Sequence, residues 1–397
     1  MTLAAHQLPR IAQNVILFIG DGMGAVQREA ARQLIGELLV MDSLPVLGSV
    51  GTSSADPEAL VTDSAAAGTA LATGVKTYNG GISTGLDGSR LPTILEIAKC
   101  AGMATGLVTT CQITDATPAA FAAHVSERSD HSEIARQYIE ATGVDVILGG
   151  GEDYWYPDGE PGAFPDDPGD EPAEYSRGTR GNLVVRAQEL GYEYVTSAKE
   201  LERAGNSKLL GLFANQNLFE ARLPGEGDAY TPPVTLATLT RKALELLSRD
   251  DQGFFVMIEE AAVDRMAHKN NARLALQAVL ELDHAVRVAL EFASSQPETL
   301  IIITADHECG GLEFCDPDLS NESPDETLRR LGLRWTTLNH TPAHVPLNAT
   351  GPGSERLAGD LDNTDLFAAI LDALGLNPAA PERTATFNPA RQYAGAE

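Results

Sequence analysis

Val61-Thr62-Asp63-Ser64-Ala65-Ala66-Ala67-Gly68-Thr69-Ala70 sets a carboxylate and a hydroxyl side by side and follows them with small residues. Short neighbours leave the Ser64 oxygen open to a bulky substrate group. The alanine-rich run is a strong helix former. Ser64 therefore falls near a helix N-terminus, where free N–H groups and the dipole favour an anion. The chemistry this allows is a hydroxyl within reach of a bulky substrate group, in a place that favours an anion. The plainer reading is a serine N-cap on an ordinary helix, and the stretch taken alone favours it.

Other stretches shift the balance. Asp21 stands in the glycine-rich turn Asp21-Gly22-Met23-Gly24. Thr114-Asp115-Ala116-Thr117 groups oxygen donors, and Arg128 follows shortly after. Glu259-Glu260 precedes Asp264-Arg265-Met266-Ala267-His268. Asp264 and His268 at i and i+4 share one face of a helical turn. That spacing suits two ligands on one cation, with an i,i+4 surface pair as the plainer alternative. Asp306-His307-Glu308 and Asn339-His340 complete the set, with His344 as a rival to His340. Each cluster has an ordinary explanation: a turn aspartate, a Thr117 N-cap, a solvated Arg128. A chance gathering of all of them is much less probable than any one.

The elements that must hold these residues follow from hydrophobic runs. Asn14–Gly20, 104–110, 144–148, 253–258 and Thr299–Thr304 read as buried strands, apolar without alternation. Further strands are expected at 48–52, 192–195, 209–213 and 345–347. Helices are expected at 25–40, 92–101, 118–124, 182–190, 198–204, 234–249, 271–293 and 363–374. The alternation predicts an α/β fold, a large mainly parallel central sheet with helices on both faces. Polar clusters directly after strands are where such sheets place ligand groups. Asp21, Thr114 to Thr117, Glu259 to His268, Asp306-His307 and, less clearly, His340 would then meet Ser64 at one sheet edge. Carboxylates, imidazoles and a hydroxyl suit zinc, with hard oxygen ligands left for magnesium.

Composition narrows the partners. The 397 residues carry 56 acidic and 28 basic side chains, a formal charge of −28. Such a surface repels nucleic acid and anionic membranes, and an anionic substrate needs a local positive centre. High acidity with few lysines fits a salt-adapted protein. No run approaches about 20 uninterrupted apolar residues, so no membrane span is expected. The first thirteen residues lack a secretory pattern. Cys100, Cys111, Cys309 and Cys315 form no CxxC pair, so a thiolate zinc site is not expected, and two disulfides or four free thiols both remain open. Residues 152–175 hold nine acids and five prolines with no Lys or Arg, which predicts a long surface loop inside a single domain over 1–397.

The stretches FIGDGMG, VTDSAAAGTALATGVKTYNGG, ITDATPAAFAAHVSER, MIEEAAVDRMAH, TADHECGGL and NHTPAHVPLNATGPG, in this order, resemble the alkaline phosphatase family. The resemblance runs from about residue 14 to residue 375. It implies a phosphomonoesterase of broad specificity, with Ser64 as a transiently phosphorylated nucleophile. It implies Asp264, His268 and His340 as ligands of one zinc, and Asp21, Asp306 and His307 as ligands of a second. Asp21 would bridge to a magnesium held by Thr117 and Glu259, and Asp115 would hold a water on that magnesium. Arg128 would clamp phosphate oxygens as a planar fork, oriented by Asp63. Arg265 stands where family members vary; it would contact phosphate through water or face solvent. Metal coordination makes a serine nucleophilic without a general base. Two metals about 4 Å apart can hold the attacking and leaving oxygens of an in-line displacement.

The short interval between His307 and His340 leaves little room for the crown subdomain of larger members, which weakens any expectation of a homodimer. Family habit implies export, periplasmic or secreted, with the cytoplasm left open. Two alternatives stand beside the phosphomonoesterase: a phosphodiesterase or sulfatase on the same metal scaffold, and a non-catalytic phosphate- or metal-binding protein.

Overall fold

The computed structural model describes residues 11–59, 61–166, 173–219, 230–316 and 325–377. Ten strands form one sheet: β1 (Asn14–Gly20), β2 (Val46–Gly51), β3 (Ala104–Gln112), β4 (Val146–Gly150), β5 (Glu193–Val195), β6 (Leu209–Leu212), β7 (Phe254–Glu260), β8 (Thr299–Thr304), β13 (Val345–Thr350) and β14 (Gly359–Asp362). Four short strands lie outside it: β9 (Glu308–Cys309), β10 (Glu313–Phe314), β11 (Leu333–Arg334) and β12 (His340–Thr341). The sheet order is β14-β2-β13-β8-β1-β7-β3-β4-β6-β5. Only β13 runs antiparallel to its neighbours in this sheet. The α/β class and the mainly parallel sheet are as expected.

Every residue of β1, β7 and β8 is buried. Full burial of one Ile, Leu, Val or Phe side chain is worth about 1.5–3 kcal/mol, so these three central strands anchor the core. Their register decides what reaches the edge. Ile19 is level with Glu259 on one side and with Thr304 on the other. Thr109 of β3 is level with Glu259 in turn. Four parallel strands thus end together, and the residues just beyond them, Asp21, Asp115, Asp264 and Asp306, emerge at one edge. Asp21 is followed by Gly22 at φ 73, where an added Cβ would sit 2.7 Å from the Asp264 Cα. Only glycine lets the two carboxylate-bearing segments approach so closely.

Several predicted boundaries shift. The first helix stops at Ile35, where Gly36 takes a left-handed cap, instead of running to residue 40. The third strand extends to Gln112 and β13 extends to Thr350. The acidic stretch 152–175 is not simply a surface loop: Glu152, Asp153 and Trp155 are buried, and residues 167–172 lie outside the described residues. Burial pushes the Glu152 carboxyl up to about 7. Acids and prolines point a segment outward on average, while the packing of Trp155 drags its neighbours inward. Between His307 and His340 the described residues form β9 to β12 and a helix of six residues, Glu326–Leu331. Among the described residues no helix is long and apolar enough to cross a membrane.

Candidate active site

Ser64 opens the helix Ser64–Thr73 but does not cap it. Asp63 is the cap: its carboxylate accepts from the Ala66 N–H at 2.9 Å and from the Gly80 N–H at 3.0 Å. Ser64 is thereby released from a capping role and its hydroxyl faces the sheet edge. All ten residues of this helix are buried. The small residues after Ser64 therefore serve packing rather than access. A Cβ added at Gly68 would meet Ala120 Cβ at 3.0 Å, which marks the close approach of helix Ala116–Ala122. Asp115, not Thr117, caps that second helix, accepting from the Ala116 N–H at 2.8 Å.

Ser64 Oγ lies 3.1 Å from His307 Nε2. The same imidazole nitrogen is 3.4 Å from Asp21 Oδ1 and 3.2 Å from Asp306 Oδ2. Burial, set partly against the Asp306 charge, holds the His307 imidazolium down to about 4, so the ring is neutral at pH 7. Beside it, Asp264 Oδ1 is 3.3 Å from His340 Nε2, and Asp264 Oδ2 is 3.3 Å from His268 Nε2. His340 Nδ1 donates to the Thr62 carbonyl at 2.9 Å, and His268 Nδ1 donates to the Leu338 carbonyl at 2.6 Å. Carbonyls can only accept, so Nδ1 is the donor in both rings and both Nε2 atoms face inward toward Asp264, which raises both imidazoles against their burial. The two Nε2 atoms sit 3.1 Å apart. Two imidazole nitrogens and a carboxylate at these distances need a proton or a metal cation among them.

The orphaned atoms say the same. Asp21 Oδ1, Asp264 Oδ1, Asp306 Oδ2, Thr117 Oγ1 and His307 Nδ1 are buried without a hydrogen bond. Such a concentration is rare in a native structure and calls for a missing partner. Asp264, His268, Cys309 and His340 offer ligand atoms within 4.8 Å of one another, and so do Asp21, Asp264 and His307. Asp264 belongs to both groups. Burial raises the Asp21 carboxyl well above its ordinary range, with the Asp306 and Asp264 charges adding to it. Burial also lifts Glu259 to about 8, against the Thr109 hydroxyl that donates to it at 2.5 Å. Burial works against Asp264 too, but His268 and His340 overcome it and hold that carboxyl well below the usual range.

On the other side of Ser64 the charges are paired. Arg128 donates to Asp63 at 3.2 Å and to Asp115 at 2.9 Å. Arg265 donates to the second oxygen of Asp115. Asp115 is buried, yet Arg265 and Arg128 hold its carboxyl well below the ordinary range. The structure thus brings Asp21, Ser64, Asp264, His268, Asp306, His307 and His340 into one cluster, with Glu259 and Thr117 beside it and Asp63, Asp115, Arg128 and Arg265 on its flank. His344 lies away, 3.3 Å from Ser49 Oγ. All four cysteines are unpaired. Cys309 is the member of the cluster that residue spacing does not single out. Its signal is the two-residue bridge that makes Cys309 the direct cross-strand partner of His340, which nothing in the chain's spacing announces.

A sequence profile described as alkaline phosphatase matches residues 12–321. The chain belongs to the alkaline phosphatase family. It is 32% identical to Alkaline phosphatase 4 of Bacillus subtilis over 91% of this chain and 88% of the relative. It is 35% identical to Streptomycin-6-phosphate phosphatase of Streptomyces griseus over 93% of this chain and 92% of the relative. Among solved structures, alkaline phosphatase from the Antarctic bacterium TAB5 matches with a TM-score of 0.75 and 30% identity, covering 94% of this chain and 100% of that one. The chain is a phosphatase of a metal-dependent family, and its ligand groups are suited to metal binding.

Proposed function

We propose that this alkaline phosphatase hydrolyses phosphate monoesters through a phosphoserine on Ser64, with two zinc ions and one magnesium bound around it. The observation that carries the reading is the 3.1 Å approach of Ser64 Oγ to His307 Nε2 at the rim of the cluster of orphaned carboxylates. Asp264, His268 and His340 would hold one zinc. Asp21, Asp306 and His307 would hold the second, and Thr117 and Glu259, with Asp21, the magnesium. When bound, these ions supply Lewis-acid charge for the attacking and leaving oxygens.

The chain's own residues do the rest. Ser64 Oγ attacks phosphorus, the bond from phosphorus to the ester oxygen breaks, and the alcohol leaves with a proton. Water then attacks the phosphoserine and returns inorganic phosphate and the Ser64 hydroxyl. The Ser64–Thr73 helix N-terminus adds a favourable field for the phosphoryl anion. Arg128 keeps further guanidinium donors beyond the two that Asp63 and Asp115 engage, enough for a forked grip on phosphate. Asp63 and Asp115 hold that fork in place, and Arg265 adds a second positive centre through Asp115. The zinc charge together with Arg128 would supply the attraction that the −28 surface lacks.

We read residues 1–397 as one catalytic domain, exported to the periplasm or beyond. The central test is Ser64→Ala. Turnover of nitrophenyl phosphate should fall to background and no phosphoryl group should be trapped on the protein at low pH. Turnover that survives unchanged removes the mechanism.

A further inference from the structure

Cys309 is fully buried and takes part in none of the steps above. It lies in β9, and the antiparallel bridge with β12 makes it the Cα partner of His340. Directly opposed residues of such a pair project to the same face. The thiol therefore stands beside the imidazole that is turned inward by the Thr62 carbonyl. Its sulfur falls within the same 4.8 Å group as ligand atoms of Asp264, His268 and His340. The Cys309 backbone is pinned, its N–H donating to the Gly22 carbonyl at 3.1 Å and its carbonyl accepting from Gln27 at 2.8 Å. The sulfur itself makes a long contact, 3.8 Å, to the Asp264 carbonyl and lies beside the Asp264 carboxylate. In the same group Asp264 Oδ1 is buried and without a hydrogen bond.

We propose that Cys309 Sγ is a fourth protein ligand at the Asp264–His268–His340 metal position, giving that position a soft donor. The proposal rests on the metal-site reading above. As the metal–sulfur bond forms, the thiol proton passes to solvent and no electron is transferred. One sulfur, two imidazole nitrogens and a carboxylate are a donor set that would suit zinc. A thiolate also biases the position toward zinc and cadmium and against magnesium or manganese.

The test uses the full chain, stripped with a chelator and reloaded with cobalt(II). The wild type should show visible d–d bands together with the intense near-ultraviolet band of a sulfur-to-cobalt transition. Cys309→Ser and Cys309→Thr should keep the d–d bands and lose the near-ultraviolet band, and their cadmium affinity should fall at least about tenfold. X-ray absorption at the zinc edge of the wild type needs no variant and should show a sulfur neighbour at about 2.3 Å. Cobalt d–d bands without a sulfur band, or a sulfur band that persists in both variants, overturns the thiol ligand and leaves the metal position standing. Absence of d–d bands in the wild type overturns the metal-site reading itself.

Discussion

Two regions meet at Ser64 and balance their charges in opposite ways. On one side, Asp21, Asp264, Asp306, His268, His307 and His340 crowd together with no Lys or Arg among them, and three of the carboxylates keep a buried oxygen without a hydrogen bond. On the other, Asp63 and Asp115 are matched by Arg128 and Arg265. The first region is an incomplete electrostatic unit and the second is complete. Buried charges are tolerated only when paired or when they coordinate metal. On the proposed function, a site that carries both arrangements would separate its tasks: one flank would hold the metal cations and the other would grip phosphate without them.

The most severe way to break that contrast is Asp264→Asn. This carboxylate belongs to both ligand groups, so its loss should empty the cluster and lower kcat/KM on the order of 10³-fold or more. Metal analysis beside the kinetics is the check. Full metal content in the variant would show that the cluster is not a binding unit.

Metal removal should expose the second difference. Glu259 is raised to about 8, and Asp21 is raised as well. A carboxyl raised in the folded state contributes stability that is complete below its unfolded value and is lost as pH climbs through the folded value. The lowered His307 contributes stability that is already complete above the unfolded histidine value, so the chelated protein should lose unfolding stability between about pH 7 and pH 9, where Glu259 titrates. Reloading metal should flatten the slope, because the cation replaces the proton. Denaturant titrations at several pH values measure this; a chelated protein that is equally stable at both ends contradicts it.

The smallest expected effect lies on the paired side. Arg128→Ala removes a charge-assisted fork worth about 1.5–3 kcal/mol. Inhibition by inorganic phosphate should weaken roughly 10–150-fold, the same energy expressed as affinity. Metal content should not change. Loss of metal in this variant would mean that the two regions are one coupled network.

Much of this site is legible in the residues alone. Asp21, Asp306 and Glu259 sit at or just after apolar strands, and parallel strands carry their C-terminal ends to one edge. Register then makes Ile19, Glu259 and Thr304 level. Other features are not legible in that way. Ser64 and Asp63 are equally good cap residues by type, and only the backbone at Asp63, extended at φ −97 and ψ 173, selects the aspartate. Residues 152–155 sit at the start of an acidic stretch whose composition assigns it to the surface, because composition cannot see that Trp155 is fully buried.

By itself, the chain determined the strand run, the order of the polar clusters and the family, because apolar periodicity and local residue type are written residue by residue. Only the tertiary structure decided which clusters face one another and how their charges close. The imidazoles of His268 and His340 are aimed by the carbonyls of Leu338 and Thr62, the second of these 278 positions away along the chain. The thiol of Cys309 is brought beside His340 by a bridge of two residues. Ligand direction depends on such long-range backbone contacts, and sequence spacing carries no record of them.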